Sequence, residues 1–178
     1  MDRIFRDHMS DLYWLAFLLT GDRERSVQAY TGALNSEAPA PGLHKFMLSW
    51  ARRLVVVAAL GTIRRQLRES ELRTRPATES ELNGLASSAS LDRAGFTKQE
   101  LEAALLSMEV FIRCAVVLTI FERLSVKEAA ELLGADKNAV KCAQARGVTE
   151  MTWRLVGAVR PESPRFFSVG HESMSAFG

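Results

Sequence analysis

The stretch Leu124-Ser-Val-Lys-Glu-Ala-Ala-Glu-Leu-Leu-Gly-Ala-Asp-Lys-Asn-Ala-Val-Lys141 decides how this chain is read. Its pattern predicts two helices joined by a tight turn. Ser125 stands where a helix N-cap belongs, and Glu128 falls three residues on, where a capping box places its carboxylate. Ala129, Ala130, Leu132 and Leu133 give the first helix an apolar face. Gly134 is suited to leaving that helix with positive φ. Asp136 caps the second helix, and Val140 is placed to point back at the first. The second helix of such a helix-turn-helix commonly enters the DNA major groove. Lys137, Asn138, Lys141, Gln144 and Arg146 on it are donors suited to phosphates and base edges. The competing reading is a plain helical hairpin with no DNA contact. The short turn and the two capped helix starts weigh against it.

The rest of the chain is compatible with an all-α protein. Of its 178 residues, 47% are apolar, enough for a substantial core. Period-two segments with turn punctuation are absent, whereas helical periodicity recurs. A first helix is expected from Arg3 to Leu19, with Ile4, Phe5, His8, Leu12, Leu15, Phe17 and Leu19 on one broad face. Gly21 would end it and Asp22 would cap a second helix over Arg23 to Leu34. Asn35 to Gly42, with two prolines, reads as a loop. A third helix is expected from Leu43 to Leu72, with Gly61 as a bend. Residues 73–96, rich in Ser, Thr, Ala and Glu, read as a linker with a short helix near Leu82 to Ala86. Thr97 and Glu100 form another capping box, followed by helices near Lys98 to Ser107 and Val110 to Arg123. Residues 161–178 read as a mobile tail. The expected architecture is therefore two small helical domains, 1–72 and 97–160, joined by a linker. The C-terminal domain contains the helix-turn-helix.

Charge is distributed in blocks rather than in excess. The net charge is only +2, but Lys45 to Arg75 carries eight basic and two acidic side chains. Pro76 to Val110 carries two basic and six acidic ones, and Phe111 to Arg160 eight basic and five acidic. Two basic modules flanking an acidic middle suit nucleic-acid or protein partners. A solvated set of surface helices would also carry such charge. Cys114 and Cys142 have neither the spacing of a metal site nor that of a redox motif, and Cys114 reads as a small core residue. His8, His44 and His171 lack partners at useful spacing, and no nucleophile, phosphate-loop or metal motif occurs. Neither enzymatic activity nor a cofactor is expected. The apolar runs are too short to cross a bilayer, and a cytoplasmic setting without membrane contact is expected.

The order of parts resembles the sigma-70 family, in particular the small extracytoplasmic-function (ECF) sigma factors. Leu124, Ser125, Glu128, Ala129, Ala130, Leu133, Gly134, Val140 and Lys141 match the family's region-four motif. Arg113, in Ile112-Arg-Cys-Ala-Val-Val-Leu118, is similar to the helix just upstream. Leu12-Tyr13 through Leu19-Thr-Gly-Asp-Arg23 resembles region two, as does Trp50-Ala-Arg-Arg-Leu54 followed by Ile63-Arg-Arg65. The resemblance implies promoter-like double-stranded DNA and core RNA polymerase as partners. Lys137, Asn138 and Lys141 would face a minus-35-like element, with Arg146 on phosphate. Arg52, Arg53, Arg64 and Arg65 would form a second DNA-contacting surface. Departures are specific. Where the family carries an acidic segment that grips the polymerase clamp helices, this chain has Ser26-Val-Gln-Ala-Tyr-Thr-Gly-Ala-Leu34. The minus-ten-reading stretch falls on Asn35 to Gly42, without aromatic or basic residues. In the recognition helix, Ala139, Cys142 and Ala143 replace polar family residues.

Leu-Thr-Gly followed by Tyr30-Thr-Gly-Ala-Leu34 also looks like the sigma-like domain of bacterial general-stress response regulators. Such domains bind an anti-sigma factor without initiating transcription. On that alternative, Met47, Trp50, Met108 and Phe111 are the candidate partner-binding residues. Met and aromatic side chains at helical spacing are also ordinary core material.

Overall fold

A computed structural model describes residues 2–36, 47–73 and 96–158. Nine α-helices account for most of them, with no strand among the described residues. The first half holds α1 (Asp2–Asp7), α2 (Met9–Thr20), α3 (Arg23–Leu34), α4 (Met47–Thr62) and α5 (Arg64–Arg73). The second holds α6 (Lys98–Leu106), α7 (Val110–Val116), a π-helical turn (Val117–Phe121), α8 (Val126–Leu133) and α9 (Lys137–Ala158). The expected loop beyond Ser36, the opening of the third helix at residues 43–46, the linker helix near residue 82 and the tail lie outside the described residues. So do His44 and His171.

Local chemistry fixes most helix ends. Gly21 leaves α2 at φ 70°, its N–H donating to the Phe17 carbonyl at 2.8 Å. Asp22 then caps α3 by accepting from the Arg25 N–H at 2.9 Å. Thr97 with Glu100 and Ser125 with Glu128 each form the reciprocal capping box the sequence predicts. The hydrogen bonds from Thr97 and Ser125 hold both exposed carboxyls below their usual range. Their folded pKa values are depressed, so their stabilising contribution is present above the ordinary glutamate value and lost as pH falls through the folded one. Unfolding free energy is thus expected to fall as pH drops below 4.5, the unperturbed glutamate value. Glu100→Gln/Glu128→Gln should flatten this acid limb in urea titrations. An unchanged slope would remove the two boxes from it.

Two expected helices are broken. The first is interrupted at His8, between α1 and α2. The third breaks at Ile63, two residues past Gly61, where α4 gives way to α5. Both interruptions keep apolar side chains inside. Phe5 and Leu12 are fully buried on either side of the first, and Leu60, Ile63 and Leu67 span the second.

The centre of the fold is α7. Phe111 through Leu118 are all buried, a continuous run rather than a stripe, as required of a helix enclosed on every side. α7 packs on α2 and α5 of the first half and on α9 of the second. One core cluster consequently runs through both halves, from Phe5 and Leu12 to Met151 and Leu155. Polar links cross the same junction. The Phe111 N–H donates to Ser70 Oγ at 3.2 Å, and Trp14 Nε1 donates to Glu102 Oε2 at 2.9 Å. Lys98 Nζ stands 4.6 Å from the centre of the Trp14 ring, a cation–π contact. Arg113 lies at the last turn of α2, 4% exposed, its guanidinium donating to the Leu19 carbonyl at 3.4 Å. A cation is favourable beside a helix C-terminus. Burial nevertheless lowers its pKa, and its Nε has no hydrogen-bond partner. Beside it, burial pushes the Cys114 thiol up to about 12, which keeps it protonated and unreactive in a core position.

Candidate nucleic-acid and partner surfaces

α8 and α9 are joined by Gly134, Ala135 and Asp136. Gly134 takes φ 66°, and its N–H donates to the Ala130 carbonyl, ending α8. The Asp136 carboxylate accepts from the Asn138 N–H at 2.7 Å at the start of α9. Ala129, Ala130 and Val140 are buried where the two helices meet. The turn and this anchor leave Lys137, Asn138 and Lys141 exposed on the first turns of α9. Gln144 is half-buried.

These residues do not all share one face. At about 100° per residue, Lys137, Lys141 and Gln144 form a single stripe, with Asn138 beside it. Arg146 is exposed but sits about 180° round the helix from Lys137. A flat surface touched by Lys137 and Lys141 therefore cannot also be touched by Arg146.

The basic residues of the first half have separate surroundings. Arg52 forms an ion pair with Glu122 across the junction of the halves, with Nε donating to Oε2 at 2.9 Å and a second, shorter bond from Nη2 to Oε1. Those hydrogen bonds raise the Arg52 pKa. Arg52 thus ties α4 to the end of the π-turn. Arg53 is exposed, and its charge helps to lower the Glu128 pKa at the start of α8. Arg64 and Arg65 are exposed on α5, where Arg65 Nε lies 3.0 Å from Glu69 Oε1. That i,i+4 surface pair is a weak attachment.

Of the partner-binding candidates, Met108 and Phe111 are 4% and 0% exposed and belong to the shared core. They present no surface to a partner. Met47 opens α4, and its side chain lies outside the described residues. Trp50 is half-buried and lines a groove of about 630 Å³ between the halves. The groove is bounded by α4, by Phe121 of the π-turn and by Leu124 and Leu132. Its charged lining comprises Arg52, Arg53, Glu122 and Arg123.

Sequence reasoning did not single out Phe121, Glu122, Arg123 or Leu132 for this groove. A signal was nevertheless present. A helix ending only two residues before the Ser125 cap demands a sharp reversal, a place where glycine is usual, yet the chain has Arg123. The backbone reverses there by a glycine-like route. Arg123 sits at φ 55°, and the Leu124 N–H donates to the Leu118 carbonyl at 3.0 Å.

α3 carries the stretch from Ser26 to Leu34. Ser26 is buried and shares a hydrogen bond of 2.8 Å with the Thr20 hydroxyl. The exposed positions that follow, Val27, Gln28, Thr31 and Gly32, carry no carboxylate. Compared with protein-family models, curated proteins and solved structures, the chain matches none.

Proposed function

We propose that this is an ECF sigma-factor-like DNA-binding protein acting in bacterial transcription initiation or its regulation. On this reading the two helical halves are region-two-like and region-four-like modules, and α8–α9 is a DNA-reading helix-turn-helix. The observation that carries the proposal is the stripe of exposed donors at the start of α9. Lys137, Asn138 and Lys141 stand clear of the core while Val140 and the Gly134 turn fix the helix beneath them. The N-terminal end of a helix adds partial positive charge, which favours phosphate. Arg53 on α4 and Arg64 and Arg65 on α5 are the exposed basic residues left for a second contact. Arg52 acts as a tie between the halves and Arg146 as a residue of the opposite face, so neither belongs to the primary contact.

Anisotropy titrations of promoter-like duplexes at two salt concentrations test the reading. Lys141→Ala is expected to weaken binding to all sequences alike and to reduce the salt slope by about one. Arg146→Ala should change binding far less. Equal titration curves for Lys141→Ala and the unchanged protein would take α9 out of the interface. A pull-down with core RNA polymerase belongs beside it, because DNA binding without polymerase binding defines a stand-alone regulator.

A second reading is a sigma mimic that binds an anti-sigma factor without initiating transcription. Two observations favour it. The outer positions of α3 from Val27 to Gly32 lack the carboxylates that a polymerase-gripping helix would present, and an apolar groove opens between the halves. Absence of both polymerase and DNA binding is its expected signature.

A further inference from the structure

We propose that the face of α9 bearing Arg146 and Trp153 pairs with the same face of a second copy of this chain. The two helices run antiparallel, and Arg146 of each copy lies over the Trp153 ring of the other. The inference is independent of the proposed function, because neither reading above uses this surface.

Trp153 is the first observation. It is 76% exposed, the one aromatic among the exposed large hydrophobic side chains of the described residues. Trp14 and Trp50 pack against the core, and Trp153 does not. Helix propensity does not select tryptophan for an exposed position. Arg146 is exposed on the same helix and, among the described residues, is in no ion pair. Tryptophan and arginine are the side chains most enriched where one protein binds another.

Their spacing selects the occupant. Seven residues separate them, which sets them about 20° apart around the axis and about 10 Å apart along it. A cation reaches a ring over roughly 6 Å, so Arg146 and Trp153 of one helix cannot satisfy each other. An antiparallel copy brings them together. With the two-fold axis between Thr149 and Glu150, Arg146 falls opposite Trp153, and the contact occurs twice. That is the self-complementary pattern of a two-fold pair. A parallel copy would set Arg146 against Arg146 and be repelled.

The residues at the axis tolerate the contact. Arg154 Nη2 already lies 2.7 Å from Glu150 Oε1, so two Glu150 carboxylates meeting there are each balanced within their own helix. The Thr149 hydroxyl donates to the Ala145 carbonyl at 3.0 Å, so covering it strands no donor. Lys137 lies about 180° round α9 from Arg146, so the donor stripe at the start of the helix stays open on both copies.

A patch of this size supports a weak, exchanging dimer rather than a permanent one. Sedimentation velocity of the full chain is expected to show an average mass that climbs with concentration. Trp153→Ala and Arg146→Ala should each weaken association about tenfold, because each removes both cation–π contacts from the pair. Circular dichroism should be unchanged in both, since both side chains are exposed. An equimolar mixture of the two variants tests the geometry. A mixed pair keeps one contact, from Arg146 of the Trp153→Ala copy to Trp153 of the Arg146→Ala copy, whereas either variant alone keeps none. The mixed pair is expected to form about threefold more tightly than either variant pairs with itself. A chain that stays monomeric at every concentration would overturn the proposal, and capture of Trp153 by residues 159–178 of its own chain would give that result. Association unmoved by both substitutions, or a mixture no tighter than its components, would overturn it too. The samples contain neither DNA nor polymerase, so failure here leaves the proposed function standing, and the reverse.

Discussion

Replacing Gly147 by valine is expected to remove about 3 kcal/mol of unfolding free energy, the upper end of ordinary overpacking losses. Gly147 lies in the middle of α9, where helix propensity alone would favour almost any other residue. A Cβ at this position would stand 2.3 Å from Val116 Cγ2 and 2.9 Å from Ile112 Cγ2. Both neighbours are buried and β-branched, so neither can swing aside without leaving its rotamer. The glycine is what lets α9 lie against α7, and α9 carries the proposed DNA-facing stripe. Gly32→Ala provides the contrast, since nothing lies within 4 Å of its added Cβ. That change should stabilise by about 0.5–1 kcal/mol through helix propensity. Urea unfolding midpoints for the two variants should move in opposite directions. A Gly147→Val protein as stable as the parent would mean that α9 and α7 are not in this register.

Phe111→Ala is expected to cost about 3–5 kcal/mol, the usual loss on emptying a buried aromatic site. Its side chain is fully enclosed, and its N–H is bonded to Ser70 on the other half of the molecule. The loss should therefore fall on both halves at once. Circular dichroism reports the whole helical content, and fluorescence reports Trp14 and Trp50 of the first half with Trp153 of the second. Under denaturant the two signals are expected to shift together in one transition. Two transitions, one of them unmoved by the substitution, would show that the halves fold independently.

Local chemistry was readable in the sequence wherever one or two residues decide the outcome. Ser125 with Glu128, Thr97 with Glu100, Asp22, Gly21 and Gly134 each occupy the role their types suggest, because caps and left-handed turns are short-range devices. The break at His8 was not readable, since apolar periodicity continues through it and no proline marks it, whereas the break at Ile63 falls two residues from the bend expected at Gly61. The π-turn escaped for a similar reason: Val117 to Phe121 carries nothing that separates a five-residue from a four-residue hydrogen-bond step. Arg146 belongs to the same helix as Lys141, and its angle around the axis sets it on a different face. The functional surfaces depend most on long-range packing. That Arg52 meets Glu122, or that Gly147 faces Ile112, follows from how α7 sits between the halves. Seventy residues separate the partners of the ion pair, and no local pattern encodes their meeting.

Because the core passes without interruption from α2 and α5 into α7, each half is in effect the other's ligand. The covalent chain from Arg73 to Phe96 joins the two and so keeps them at high effective concentration. A cut within that stretch would not by itself separate them. It would turn an internal contact into a two-body equilibrium, governed by dilution and by the affinity of one buried helix for its seat. Two fragments made as separate chains would meet as strangers and complement each other into the same fold.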